Sequence, residues 1–347
     1  MRTRVTKLLK IRYPIVQSPM GYVAGAWLAA AASRAGGLGV VASATMTIPE
    51  LRAAIRAVRE RTDAPFGVNL RADAPDAAER IDLVIAERVP VVSFALAPTR
   101  DLIRRCADAG VLTMPSVGAR RHAEKVAAWG ADAVVVQGGE GGGHTGPVPT
   151  SLLLPQVVDA VDIPVVAAGG FFDGRGLVAA LAYGADGIAM GTRFLLTSDS
   201  PVADAVKRVY LGATLTDTVV TTAVDGVPHR VLRTPFVDRL EHAGPLGRLA
   251  RSARHAVAFR HQSGLSWLDL ARAGRRARHR LTLSQTLMAA NTPMLLRAAM
   301  VDGRPEYGVM SAGQVVGLVD DLPSCAELVE RIMAEARDAV DRLGKSP

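Results

Sequence analysis

Residues 163–194, IPVVAAGGFFDGRGLVAALAYGADGIAMGTRF, contain one structural unit and the start of the next. An apolar run (PVVAAG, 164–169) stops at glycine, an alanine- and leucine-rich stretch (GLVAALAYGA, 176–185) follows, and a second apolar run (GIAMG, 187–191) again stops at glycine. Unbroken apolar runs are what strands carry when both faces of a parallel sheet are covered. Upstream the same unit recurs as PIVQ (14–17), LGVVAS (38–43), FGVNL (66–70), VVSFAL (91–96), VLTMPS (111–116) and AVVVQ (133–137). Helix-like stretches such as WLAAAASRAG (27–36) and PELRAAIRAVRERT (49–62) lie between them. Eight strand-like runs, each followed by a helix or an ordered loop, predict an α/β fold of the (β/α)8 barrel type. An open doubly wound sheet is the alternative, and the count of eight disfavours it.

The pattern breaks near residue 200. DTVVTT (217–222) and PHRVLR (228–233) suggest a short hairpin, and 246–280 reads as two arginine-rich helices. An apolar helical stretch (284–300) and a well-marked final helix (323–340) complete the chain. The expected division is a barrel from 1–200 plus 301–347, and a hairpin with an arginine-rich helical cap from 201–300.

With 347 residues, 49% hydrophobic and 21% charged, the chain has the composition of a soluble globular protein with ample core. No apolar run approaches the roughly 18 residues that span a bilayer. The basic opening MRTRVTKLLKIRYPIVQ has no apolar region or cleavage site, so no signal peptide is expected. Cys106 and Cys325 show no metal or redox spacing, which fits a reducing cytoplasm. The net charge of +8 has one source: from Arg239 to Arg280 there are ten arginines and two acids, and the rest of the chain balances at 31 of each sign.

In a barrel of this kind the chemistry sits where strands end. The runs end in Gln17 followed by Ser18-Pro19-Met20-Gly21, in Asn69, in Gln137, in Gly169-Gly170 and in Gly191-Thr192. Loops after the seventh and eighth strands often hold a phosphate on backbone N–H groups, and Gly169, Gly170 and Gly191, with the Thr192 hydroxyl, suit that role. Tight turns alone would also explain those glycines. A phosphate there, with the uncharged amides of Asn69 and Gln137 inside the mouth, suits flavin mononucleotide, and Ser18 to Gly21 would lie along the ring edge. Capping of their own loops is the plainer role for the two amides.

The stretch QGGEGGGHTG (137–146) presents a single imidazole, His144, among glycines that let a cofactor approach the backbone. A histidine titrates near neutrality, so His144 is the candidate acid/base, with a locally bonded loop residue as the alternative. No metal-ligand spacing, nucleophile elbow or phosphate-binding P-loop occurs, so no metal is expected. Arg272, Arg275, Arg276, His279 and Arg280 form one helical stripe. Arginine forks bind phosphates in pairs, so the stripe suits coenzyme A, with a solvated helix face equally open. Few aromatics are interleaved, which disfavours nucleic acid.

These residues resemble the nitronate monooxygenase (2-nitropropane dioxygenase-like) family, FMN enzymes on a TIM barrel related to FMN-dependent enoyl-acyl-carrier-protein reductases. The resemblance rests on YPIVQSPMGYVAGAWLAAAASRAGGLGVVAS, PFGVNLRAD, GADAVVVQGGEGGGHTG, residues 163–194 and MSAGQVVGLVDD. It implies that Pro19, Met20, Gly21, Asn69, Gln137, Gly142, Gly143, Gly169, Gly170, Gly191 and Thr192 hold FMN and that His144 is catalytic. Ser311, Gly313 and Gln314 would belong to a C-terminal segment returning to the flavin. VDGVPHRVLRT, LMAANTPMLL and DDLPSC resemble more narrowly an actinobacterial subgroup that oxidises an indanone acyl-CoA from steroid C and D rings. The expected activity is therefore α,β-dehydrogenation of a CoA thioester, or its reverse. His144 would move the α-proton and the flavin N5 would take the β-hydride. The alternatives are oxidation of alkyl nitronates with oxygen, an NAD(P)H-dependent enoyl or quinone reductase, and a non-catalytic phosphate-ligand sensor. The expected partner is a small molecule, with neither nucleic acid nor membrane, and a homodimer is allowed.

Overall fold

The computed structural model describes residues 1–96, 98–242 and 291–345. The chain divides into two compact units: Met1–Gly141 with Thr145–Pro201 and Leu318–Pro347, and Gly142–His144 with Val202–Gly317. The chain thus rejoins the first unit at Leu318, later than the residue 301 of the sequence division.

The first unit is a closed parallel barrel. Its strands are β1 (Ile15–Gln17), β2 (Leu38–Ala42), β3 (Phe66–Arg71), β4 (Val91–Ala95), β5 (Leu112–Val117) and β6 (Val134–Gln137). After β7 (Gly143–His144), which belongs to the second unit, come β8 (Val165–Ala168) and β9 (Gly187–Met190). Strand β9 closes on β1, with Val16 opposite Ala189. All eight expected strands form, each within two residues of its expected ends.

The barrel centre is filled by Val16, Leu38, Val40, Val91, Met114, Val135, Val166 and Ala189. Val5 and Leu9 of the helix Arg4–Leu9 join this cluster. That helix is held by a Thr3 capping box and by Arg4, whose Nε and Nη2 donate to the Asp186 carboxylate at 3.0 and 2.8 Å. The helix Ala26–Arg34 packs so closely on β2 that a Cβ on Gly39 would collide with the backbone of Ala29.

The second unit contains the expected hairpin, β10 (Thr218–Thr221) and β11 (His229–Leu232). It also contains an element with no sequence signal. Two residues of the glycine loop form β7 and pair with the far side of β11, His144 opposite His229 and Gly143 opposite Arg230. Gly143 adopts φ +77°, open to glycine at little cost, and a Cβ on Gly142 would stand 2.6 Å from backbone atoms of Ala312 and Gly313. A local apolar cluster of Ala223, Val224, Val231, Val237, Leu240, Leu295 and Val309 supports the sheet. Arg272, Arg275, Arg276 and Arg280 lie outside the described residues.

Candidate active site

Because the strands are parallel, the C-terminal ends of β1, β3, β6, β8 and β9 share one rim, which gathers most of the predicted cofactor residues. Pro19, Met20 and Gly21 follow β1, Asn69 lies in β3, and Gln137 ends β6. Gly169 and Gly170 follow β8, both at positive φ (94° and 85°), and Gly191 precedes Thr192 after β9. A Cβ on Gly191 would stand 3.5 Å from Met20 Sδ, so the ends of β1 and β9 are neighbours. Gly142, Gly143, His144 and Gln314 belong to the second unit.

Several rim residues have structural work that the sequence did not reveal. Gln17 is fully buried; its amide accepts from Val40 N at 3.2 Å and donates to Val40 O at 3.3 Å, fastening β1 to β2. Asn69 Nδ2 donates to Ser93 Oγ at 2.7 Å, which fixes the amide and leaves Oδ1 as an acceptor. Glu140 accepts from Thr150 N at 2.9 Å and from Thr150 Oγ1 at 2.7 Å, tying the glycine loop to the helix Thr150–Val158. Gly138 permits this approach, since a Cβ there would collide with Thr150 Oγ1. The helix Gly174–Ala182 does not offer its N-terminus to an anion. Gly176 N donates to Asp173 Oδ1 at 2.9 Å and Gly174 N to Glu335 Oε2 at 2.8 Å.

In the second unit, His144 Nε2 lies 2.7 Å from Asp225 Oδ2. An ionised carboxylate can only accept, so Nε2 carries the proton and Nδ1 is the basic nitrogen of the neutral ring. Val227 N donates to Asp225 Oδ1 at 3.1 Å, which orients the carboxylate. The His144 and His229 rings lie 4.7 Å apart, and His229 Nε2 is 2.8 Å from Ser311 Oγ. The His229 side chain is 2% exposed and that of His144 is 48% exposed. Burial, reinforced by the neighbouring His144, lowers the pKa of His229 to about 4, so it stays neutral near pH 7.

Ligand atoms of His144, Asp225 and His229 lie within 4.8 Å of one another, a grouping that no sequence spacing announces. The 2.7 Å Nε2–Oδ2 separation is that of a hydrogen bond; two ligands on one tetrahedral zinc ion stand about 3.3 Å apart. The pair is thus a hydrogen-bonded imidazole–carboxylate couple. Burial pushes the thiols of Cys106 and Cys325 up to about 12, which removes both as nucleophiles.

Residues 2–81 and 77–335 match the nitronate monooxygenase family model. The chain belongs to the nitronate monooxygenase family. Within that family it is 61% identical over 341 residues to the (3aS,4S,5R,7aS)-5-hydroxy-7a-methyl-1-oxo-octahydro-1H-indene-4-carboxyl-CoA dehydrogenase of Mycobacterium tuberculosis, covering 97% of this chain and 96% of that one. The same-named dehydrogenase of Rhodococcus jostii is 57% identical over 347 residues, 99% and 98% of the two chains. Among solved structures, FabK from Thermotoga maritima superposes with a TM-score of 0.84 at 37% identity, covering 99% of each chain. This member of the nitronate monooxygenase family is an oxidoreductase. Among its described residues, no helix is long and apolar enough to cross a membrane.

Proposed function

We propose that the enzyme is an FMN-dependent dehydrogenase that introduces an α,β double bond into a hydroxylated indanone carboxyl-CoA thioester. The carrying observation is the 61% identity, spread over 97% of the chain, to a dehydrogenase named for that thioester. The rim of the barrel supports the choice of cofactor. Its donors are uncharged amides and glycine backbone, which suit a ring carrying both carbonyl and N–H groups. The paired positive-φ glycines after β8 make a turn on which a phosphate can rest against main-chain N–H groups.

In this reading Asn69 and Gln137 hold the ring, Pro19, Met20 and Gly21 line its edge, and Gly169, Gly170, Gly191 and Thr192 take the phosphate. Gly142, Gly143 and Gln314 are further cofactor contacts in this reading. When bound, the flavin supplies the acceptor for the hydrogen and electron pair that leave the β-carbon. His144 Nδ1 removes the α-proton, which the thioester carbonyl acidifies. Arg272, Arg275, Arg276 and Arg280 pair with the phosphates of coenzyme A. Such an enzyme works in a reducing cytoplasm, in keeping with Cys106 and Cys325, both buried free thiols.

The test is the visible spectrum of the purified protein during anaerobic addition of the indene-carboxyl-CoA thioester. A yellow protein that bleaches supports cofactor, substrate and direction together. Bleaching with an alkyl nitronate but not the thioester overturns the substrate and the arginine assignment. Bleaching by NAD(P)H alone indicates a reductase. In His144→Ala, FMN should stay bound while reduction by substrate slows about 100-fold or more.

A further inference from the structure

The second unit spends buried polar groups around one exposed imidazole. Asp225 sits in the β10–β11 connection, where Gly226, at φ +85°, turns the chain and Val227 N holds the carboxylate's other oxygen. His229 faces His144 across the β7–β11 ladder, while Ser311, bridged to Val231, holds His229 Nε2 from the other side. The Ser311 carbonyl in turn accepts from Tyr210 Oη at 2.9 Å, and Tyr210 is fully buried. Arg230, next along β11, points to the opposite face and donates to Thr218 Oγ1 at 3.0 Å. Asp225 and His229 are thus titratable groups that face His144.

We propose that Asp225 is the positioning residue for proton transfer: by accepting Nε2–H of His144 it fixes the tautomer and tilt of the ring, so that Nδ1 receives the substrate proton. This rests on the reading above in which His144 is the base. The step balances simply. The α-C–H bond breaks, an N–H bond forms at Nδ1, and the electron pair stays on the thioester as an enolate. The imidazolium so formed keeps its Nε2–H on Asp225, whose negative charge offsets the new positive one.

His229 does not compete for the carboxylate. Its Nδ1 stands 4.0 Å from Asp225 Oδ2, beyond hydrogen-bond reach, and has no hydrogen-bond partner. A neutral, buried ring at that place covers one side of Asp225 without taking its proton-accepting oxygen from His144.

Asp225→Asn and Asp225→Glu test the proposal in the FMN-loaded protein. Anaerobic flavin reduction by the thioester is followed over pH, and the His144 tautomer is read by nitrogen-15 NMR without substrate. In Asp225→Asn the limiting reduction rate should fall roughly 10- to 100-fold with KM within about threefold. The rising limb of the pH–rate profile should differ from that of the wild type. Asp225→Glu should restore part of the rate. A purely structural role would leave the limb in place. An unchanged rate and limb in Asp225→Asn overturns the proposal. So does an Nδ1–H tautomer in the wild type. Should the thioester fail to reduce the wild type, the functional reading fails, while the tautomer still decides whether Asp225 sets the ring.

Discussion

At the centre of the barrel the converging positions are Val16, Leu38, Val40, Val91, Met114 and Val166. At the centre of the second unit's sheet the middle strand carries His229, with Asp225 and Ser311 against it. Both centres bury side chains, but only the first is cheap to close. Apolar burial is favourable in any order, whereas a buried imidazole or carboxylate must find a specific partner or lose free energy. The barrel therefore tolerates a simple repeated code, and the second unit needs one arrangement of particular residues. The scaffold repeats, and the part proposed to handle protons does not.

The largest expected effect breaks the barrel side of this contrast. Gly39→Val places a branched side chain where the helix Ala26–Arg34 touches β2, and should cost more than about 4 kcal/mol or prevent folding. Denaturant unfolding of the purified variant measures it. A cost below about 1 kcal/mol would mean that this packing is looser than described.

The second effect sharpens the polar side. His229 has a folded pKa of about 4 against 6.5 for the ordinary side chain. As pH falls below 6.5 the unfolded chain takes up the proton first, so stability present above that pH is lost down to about 4. The total is about 3 kcal/mol. In His229→Gln this part of the slope should vanish, and unfolding curves at pH 7.5 and pH 5 should lie correspondingly closer together. Equal slopes in the two proteins would remove His229 as the source.

The smallest effect lies at the barrel surface. Thr47 and Glu50 form a capping box at the start of the helix Ile48–Arg59, and their contact holds the Glu50 carboxyl below its usual range. Thr47→Ala should cost about 1 kcal/mol without altering flavin reduction. Together the three variants grade the molecule by how specific each contact has to be.

The barrel was readable because its signal is local. PVVAAG and GIAMG each carry their own strand propensity, and a periodic pattern of eight such runs needs no long-range knowledge. The rim residues were readable for the same reason, since a strand's last residue marks its position. Asp225 and His229 were not. His229 stands in PHRVLR, read as half of a hairpin, and Asp225 in the connection before it; nothing within that stretch points to residue 144. The third strand was hidden too, because a two-residue β7 made of glycine and histidine has no propensity to detect. Glu140 stood inside the quoted motif, yet its bond to Thr150 depends on a loop closure that spacing alone does not give.

By itself, then, the sequence determined the repeating strand–helix order, the closed parallel barrel, the glycine turns at its rim and His144 as the exposed imidazole of that loop. Apolar periodicity and turn chemistry act over a few residues, so they are written where they act. Tertiary structure alone decided what stands against Nε2 of His144: a carboxylate 81 positions away in the chain, brought to 2.7 Å by the pairing of β7 with β11.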